Sequence, residues 1–279
     1  MISDLPPLGP VEPELLSLFH PRALAARAAR IAELLHLREQ WQQTGVMPVA
    51  VEIGAHRAAH LVGMAREHAP APVLGIEVRE KYVRLARERL RKHQVENALM
   101  LHADAQLAIP ILLDPSTVKA FHVTFPDPWW KERHADRRVL HPVIMRVLAR
   151  RLVARGRLYL KSDVFEYLHR VRLMAQASRA LRPLPAERWP DERHWTWTVR
   201  ERKCMNSAIP FGRGYYERRD DFPATLPDEP EQRADFPFDE EADPARIIRG
   251  APPQDIEARR RRLGQSPAPG EPGPGTGTS

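Results

Sequence analysis

The stretch "MPVAVEIGAHRAAHLVGMAREHAPAPVLGIEV" (47–78) decides the fold. Its first part, "MPVAVEIG" (47–54), is short, apolar and stopped by glycine, which is typical of a strand buried on both faces of a parallel sheet. Apolar residues then recur at helical spacing over 58–68, and "PVLGIEV" (72–78) is a second buried strand. A strand, a helix and another strand in about 30 residues indicate a right-handed βαβ unit.

The same alternation continues towards the C-terminus. The patterns predict helices over 80–93, 105–113, 141–154 and 165–180, and strands over 98–104, 120–127 and 157–163. Beyond residue 194, "HWTWTVRE" and "GYYERR" alternate in a way that predicts an antiparallel pair. We therefore expect an α/β fold with a mostly parallel central sheet, helices on both faces and an antiparallel C-terminal edge.

Two segments flank this predicted domain. Apolar residues at helical spacing in "RALAARAARIAELLHLREQW" (22–41) predict an amphipathic helix, so residues 1–46 are expected to form a helical extension. Residues 47–220 are expected to form the main domain. Residues 221–279 are rich in proline and acid, and we expect this tail to be disordered because it has little apolar surface to bury.

Charge is unevenly distributed along the chain. Lysine and arginine outnumber aspartate and glutamate 43 to 36, although the segment from Phe222 to Glu257 has ten acids against three arginines. A basic body with an acidic tail indicates a polyanionic partner such as nucleic acid. An arginine-rich surface without such a partner explains the charge alone equally well. A further hypothesis is that the tail competes with RNA for the basic body.

Cysteine content and hydropathy indicate which disulfides, metal sites and membrane segments the chain can form. With Cys204 as its one cysteine, the chain cannot form an internal disulfide or a cysteine-based metal site, and we expect no metal. A basic N-terminal region followed by an apolar run is absent from the sequence, as is any run of about 18 apolar residues. We therefore expect no membrane segment and a cytoplasmic location.

Acids stand at the ends of five predicted strands: Glu52, Glu77, Asp104, Asp127 and Asp163. Each alone is explained as a helix N-cap or a solvated turn. Together they outline one acidic rim at the carboxyl ends of the strands, where ligands bind in doubly wound sheets. Glu77 follows Gly54 by 23 residues, close to the offset at which an acid meets ribose hydroxyls, so an adenosine-bearing cofactor is indicated.

The first turn, "EIGAHRAAH" (52–60), departs from a glycine-rich cofactor loop. Gly54 is present, but His56 and Ala58 stand where G-x-G-x-G would have its other glycines. Without them the backbone is not expected to cradle a pyrophosphate, so a dinucleotide is disfavoured and a cofactor without phosphates is favoured.

Taken in order, "VEIG", "GIEV", "HADA", "FPDPWWKERHADRRV" and "LKSD" resemble the bacterial tRNA (guanine-N7-)-methyltransferases of the TrmB family over about residues 48–218. P-D-P-W followed by K, R-H and R-R is the most specific element. The resemblance implies a Rossmann-like class I methyltransferase fold. It also implies an enzyme that transfers a methyl group from S-adenosylmethionine to N7 of a guanine in the tRNA variable region.

The resemblance also implies residue roles. Asp127 is expected to be buried between its two prolines, closest to the chemistry, and Lys131 and Asp163 to contact the substrate. Trp129 and Trp130 are expected to stack on an extruded base, although core packing explains Trp130 equally well. The cofactor site is expected to comprise Glu52, Gly54, Glu77, Asp104 and Asp127. The tRNA phosphates are expected to meet Lys131, Arg133, His134, Arg137 and Arg138.

A second departure lies near the C-terminal edge. The family has T-x-x-E ahead of a G-x-G turn, and alignment on "GRG" (212–214) places Arg202 and Met205 at those positions, so this substrate contact is not carried over. The reduced glycine loop leaves open a non-catalytic RNA-binding paralogue that has lost cofactor binding. Methylation of another substrate on the same fold also remains open. The complete acidic rim favours the enzyme.

Overall fold

Seven strands and seven α-helices alternate in the computed structural model, which describes residues 26–129, 138–192 and 195–222. Their bounds are α1 Ala28–Thr44, β1 Ala50–Ile53, α2 Ala59–His68, β2 Val73–Glu77, α3 Glu80–Lys92, β3 Ala98–His102, α4 Ala105–Leu112, β4 Val118–Thr124, α5 Pro142–Arg151, β5 Leu152–Ser162, α6 Phe165–Ala177, β6 Leu181–Pro183, α7 Val199–Asn206 and β7 Gly212–Arg218.

All seven strands form one sheet in the order β3-β2-β1-β4-β5-β7-β6. Strands β1 to β5 are parallel, whereas β7 runs antiparallel between β5 and β6. The predicted mostly parallel sheet with an antiparallel C-terminal edge is therefore confirmed. The order reverses between β1 and β4, which creates a crevice at their carboxyl ends.

Burial explains why the central strands read as continuous apolar runs. Every residue of β1 and of β2 is buried, because helices cover both faces of the sheet. Gly75 in the middle of β2 allows α2 to approach closely, since a Cβ atom there would lie 2.6 Å from the side chain of Leu61.

The N-terminal helix packs on the domain. Ile31 and Leu34 are buried in the core, and Arg38 Nη1 donates a hydrogen bond to the carbonyl of Ile111, 2.8 Å away. The helix ends at Gly45, whose φ of 67° is left-handed. The division at residue 46 stays a prediction, and the expected tail lies outside the described residues from 223 onwards.

The predicted antiparallel pair of "HWTWTVRE" with "GYYERR" is wrong. "GYYERR" does lie in β7, but β7 pairs with β5 and β6. In the other segment, the Thr198 hydroxyl accepts the Glu201 N–H at 3.0 Å, and the Glu201 carboxylate accepts the Thr198 N–H at 3.4 Å. This capping box starts α7 at Val199, so the chain becomes helical where a strand was expected.

None of the helices in the described part of the chain is long and apolar enough to cross a membrane.

Candidate active site

The acids predicted to form a rim all lie at the carboxyl edge of the parallel strands. Glu52 lies within β1, Glu77 is the last residue of β2 and Asp163 follows β5 directly. Asp104 and Asp127 lie in the segments that follow β3 and β4. Because these strands are parallel neighbours, their carboxyl ends lie along one edge of the sheet, with the crevice between β1 and β4 at its centre.

Glu52 is a buried carboxylate with one uncompensated oxygen. Glu52 is only 1% exposed, and its Oε1 accepts a hydrogen bond from Thr124 Oγ1 at 3.5 Å. Oε2 has no hydrogen-bond partner among the described residues. Burial raises the pKa of Glu52 well above its usual value, the Thr124 hydroxyl and the Leu61 backbone oppose that rise, and the charge of Glu77 adds to it. A cationic ligand group would satisfy the free oxygen and favour the ionised form.

Glu77 ties the glycine loop to the end of β2. Its Oε2 accepts the N–H of His56 at 3.1 Å, and its Oε1 accepts the N–H of Arg79 at 2.9 Å. Each oxygen keeps one further lone pair, so the carboxylate can still accept hydrogen bonds from a pair of hydroxyls.

The loop after β1 has left-handed backbone conformations at alternate positions, although only the first of these, Gly54, is a glycine. Gly54, His56 and Ala58 have φ of 76°, 48° and 55°, so every second residue is left-handed. For a residue with a Cβ atom this conformation costs roughly 1–2 kcal/mol. Stacking of the His56 ring on Tyr82, with 3.8 Å between centroids, and burial of Ala58 offset part of that cost.

Asp127 was expected to be buried, and this is wrong. Its side chain is 62% exposed, and Oδ2 lies 3.2 Å from Nη2 of Arg79, which is 57% exposed. Because β1 lies between β2 and β4, this pair crosses the end of β1 above the glycine loop. The flanking prolines, Pro126 and Pro128, hold the acid at the mouth of the crevice rather than inside it.

Arg138 was expected to meet tRNA phosphates, and it is instead buried under the loop that carries Asp127. Its Nε donates to the carbonyls of Pro128 and Trp129 at 3.3 and 3.2 Å, and its own carbonyl accepts Gln106 Nε2 at 3.1 Å. Arg138 therefore fixes the Pro-Asp-Pro-Trp turn from below. Trp130 of the stacking prediction lies outside the described residues, as do the other four residues expected to meet tRNA phosphates: Lys131, Arg133, His134 and Arg137.

Asp104 acts as a helix cap. It is the N-cap of α4, where Oδ1 accepts the Gln106 N–H at 3.0 Å, and Oδ2 lies 3.5 Å from Arg27 Nη1. Asp104 is thus a helix N-cap, which is one of the roles expected of a single acid at the end of a strand. The same position leaves it on the rim.

The substrate-side acid Asp163 contacts the guanidinium of Arg200. Nearby, Lys161 near the end of β5 has a side chain 3% exposed, and its Nζ lies 2.8 Å from both Glu192 and Glu201. The segment that carries Glu192 and the first turn of α7 are thereby fixed against the carboxyl end of β5. Sequence reasoning missed this cluster, since "LKSD" alone does not reveal which acids meet the lysine.

A T-x-x-E sequence does occur in the chain, at the start of α7 rather than at Arg202 and Met205. It consists of Thr198 and Glu201, four residues earlier than alignment on "GRG" placed it. The capping-box pattern itself was the signal that would have found it.

The crevice between β1 and β4, with carboxylates at the ends of β1 and β2, defines a Rossmann-like methyltransferase. A family described as "Putative methyltransferase" matches residues 46–210. A tRNA (guanine-N(7)-)-methyltransferase of Thermosynechococcus vestitus is 33% identical over 176 residues, which cover 61% of this chain and 80% of the relative. The chain therefore belongs to the bacterial tRNA (guanine-N7-)-methyltransferase family.

Other similar proteins bear comparable descriptions. Enzymes with the same description from Myxococcus xanthus and Rhodopirellula baltica are 32% and 31% identical, over 42% and 62% of this chain. The matched regions cover 57% and 66% of those relatives. Among solved structures, the aminoglycoside resistance methyltransferase NpmB1 is 19% identical, with a TM-score of 0.42 over 65% of this chain and 93% of that chain.

The residues of the rim fit S-adenosylmethionine, the cofactor of this family. The unpartnered oxygen of Glu52 is suited to an ammonium group, and Glu77 to a ribose diol. Gly54 leaves room above the loop, because no atom lies within 4 Å of where its Cβ would be.

Proposed function

We propose that this protein transfers a methyl group from S-adenosylmethionine to N7 of a guanine in the variable region of tRNA. The observation that carries the proposal is the buried carboxylate of Glu52, whose Oε2 is unsatisfied at the carboxyl end of β1. A buried acid with a free oxygen beside a crevice is costly unless a ligand pairs with it, and the ammonium of the cofactor is such a partner.

The cofactor lies, in this proposal, along the ends of β2, β1 and β4. Glu52 pairs with its ammonium group, Glu77 accepts its ribose hydroxyls, and the backbone at Gly54 leaves space for it. Asp104 and Asp127 bound the two sides of the same site. When bound, the cofactor supplies a methyl group on a positively charged sulfur.

The chemistry needs positioning and charge stabilisation rather than a base. Guanine N7 carries an in-plane lone pair, so the N–C bond forms as the C–S bond breaks, and the electron pair of that bond stays on sulfur. The base becomes positively charged without losing a proton. Asp127 suits this reaction because Oδ2 is held by Arg79 while the exposed carboxylate faces an incoming base.

The substrate side of the site is assigned to Asp163 and Lys131, together with the loop that Thr198 and Glu201 order. Asp163 is held by Arg200, a contact that orients its carboxylate next to the crevice. Since guanine presents N–H donors on one edge, the carboxylate of Asp163 is a suitable acceptor for it. We further infer that the protein works in the cytoplasm, where its tRNA substrate is found.

Two measurements test the proposal. Calorimetric titration with S-adenosylmethionine is expected to show one site per chain, and incubation with unmodified tRNA is expected to produce 7-methylguanosine, detected by nucleoside mass spectrometry. A protein that binds tRNA but shows no cofactor binding at millimolar concentration would be the non-catalytic RNA-binding paralogue. Methylation of a base or atom other than guanine N7 would also refute the proposal.

A further inference from the structure

A basic groove lies at the amino ends of β4 and β5, at the edge of the sheet opposite the acidic rim. It encloses about 360 Å³. Lys119, Arg155 and Arg157 line it, and the rings of Tyr159 and Trp195 contribute an aromatic floor. No role in methyl transfer falls to this groove.

An irregularity of β5 builds one wall. Val118 of β4 pairs with Leu152, but Ala120 pairs with Arg157, so six residues of β5 face three of β4. The extra residues bulge outwards and carry Arg155 to the rim of the groove. Gly156 is required there, because a Cβ atom would lie 2.9 Å from the carbonyl of Val153.

The lining is electrically one-sided. Lys119, Arg155 and Arg157 face the groove against a single acid, Glu67. Below them, Tyr159 and Trp195 meet edge to face with 5.2 Å between ring centroids. Cations at the rim and aromatic carbon beneath favour a ligand with both carboxylates and apolar rings.

The last described residue, Phe222, lies close to this end of the sheet. Arg218 Nη2 donates to the Phe222 carbonyl at 2.6 Å, and Arg218 Nη1 donates to Ser116 Oγ at 2.9 Å. Ser116 is three residues before Lys119. The 57 residues that follow Phe222 therefore start beside the loop that leads into the groove.

The sequence beyond Phe222 contains a segment of matching chemistry. "DFPFDEEAD" (235–243) has five acids, no lysine or arginine, and two phenylalanines, Phe236 and Phe238. Twelve residues lie between Phe222 and Asp235. A random-coil linker of that length would span roughly 20 Å on average, which is enough to pass from one face of the sheet edge to the other.

We propose that residues 235–243 dock in this groove, with their carboxylates on Lys119 and Arg155 and a phenylalanine on the Tyr159–Trp195 floor. The tether places the segment at an effective concentration of about a millimolar, so even weak contacts occupy the site. One consequence rests on the proposed function: the docked acids compete with RNA for the basic body of the enzyme.

The primary test measures a distance in the full-length chain. Cys204, the only cysteine, is buried, so Ala154→Cys beside the groove and Ala242→Cys in the segment can be spin-labelled selectively. The expected result is a narrow distance distribution at low salt that broadens in Lys119→Glu/Arg155→Glu. The matched control, Lys81→Glu/Arg84→Glu on exposed positions of α3, leaves it narrow. A broad distribution, or one that groove reversal leaves unchanged, overturns the proposal.

A second experiment distinguishes residues 235–243 from RNA as the occupant of the groove. Neutralising the segment with Asp239→Asn, Glu240→Gln and Glu241→Gln is expected to raise tRNA affinity several-fold. If groove reversal weakens tRNA binding while segment neutralisation has no effect, the groove is an RNA contact and the docking proposal is wrong. The distance measurement needs neither cofactor nor tRNA, so its failure is distinguishable from a failure of the methyltransferase assignment.

Discussion

Lys161 and Glu201 form a buried ion pair, with 2.8 Å between Nζ and Oε1 and side chains that are almost fully enclosed. Glu201 is at the same time the acid of the capping box that starts α7. One lysine on β5 thereby fixes the beginning of a helix that lies 40 residues further along the chain. Its Nζ also lies 5.0 Å from the ring centroid of Trp195.

Lys161→Met is expected to destabilise the protein by about 3–5 kcal/mol, because it leaves the buried carboxylate of Glu201 without its cation and the partly exposed carboxylate of Glu192 with Arg213 alone. Urea unfolding measures the loss. The double variant Lys161→Met/Glu201→Gln removes one of those charges and should recover part of the stability. Strictly additive effects of the two substitutions would show that the residues are not coupled.

The double variant His56→Gly/Ala58→Gly restores the glycines of the cofactor loop. Because His56 and Ala58 already have left-handed φ, the backbone path should not change, and we expect cofactor affinity to stay within about tenfold of wild type. Calorimetric titration measures it. A gain of more than about a hundredfold would show that the two side chains obstruct the site, contrary to this account.

Glu52→Gln keeps the shape of the buried side chain and removes its charge. Since a hydrogen bond to a charged group contributes about 1.5–3 kcal/mol, cofactor affinity is expected to fall about tenfold or more. Thermal unfolding of the free protein should show little loss, because Oε2 has no hydrogen-bond partner among the described residues and a glutamine can still accept the Thr124 hydroxyl. Glu67→Gln, an exposed acid away from the rim, is the control, and equal affinity of the two variants would remove Glu52 from the site.

Stability is expected to fall between about pH 6.5 and pH 4 because of two buried histidines. Burial lowers the pKa of His60 to about 4 and lowers that of His122, whose Nδ1 lies 3.0 Å from His60 Nε2. Below about pH 6.5 these histidines bind protons in the unfolded chain but stay neutral in the folded protein, so a falling pH favours unfolding. His60 alone accounts for about 3 kcal/mol over this range.

Urea unfolding as a function of pH measures this slope. Burial raises the pKa of Glu52, so this residue makes the folded protein more stable as the pH falls, opposite to the histidines. Its contribution is the same in all the variants compared. The slope should be smaller in His60→Gln/His122→Gln, whatever its absolute stability, and unchanged in His36→Gln, which alters an exposed histidine of α1. An equal slope in the buried-pair variant would refute the assignment.

The sheet could be predicted from the sequence because each central strand is buried on both faces and each ends in glycine, proline or acid. The same logic located the acids of the rim. The segment around Thr198 was predicted as a strand because its tryptophans and threonines alternate. In the structure Thr198 and Glu201 instead form a capping box, and the helix begins at Val199. The sequence pattern also could not assign burial within a charged run, where Arg138 turns inwards under the Pro-Asp-Pro-Trp turn.

The exposure of Asp127 was unpredictable for a related reason. Prolines on both sides indicate a rigid turn, but whether that turn points into the crevice or across its mouth depends on Arg79, which comes from another strand end. Contacts between residues distant in the sequence decide such cases, and local patterns do not encode them.

If Asp127 serves methyl transfer to guanine N7 at the carboxyl edge of the sheet, its removal must slow the chemical step. Single-turnover formation of 7-methylguanosine on unmodified tRNA measures that step in Asp127→Ala, in wild type and in Asp221→Asn, which alters an exposed acid paired with Arg219. We expect a rate at least about a hundredfold lower for Asp127→Ala, as for loss of one electrostatic contact to a transition state, and a wild-type rate for Asp221→Asn. Equal rates for Asp127→Ala and wild type would contradict a role of Asp127 in methyl transfer.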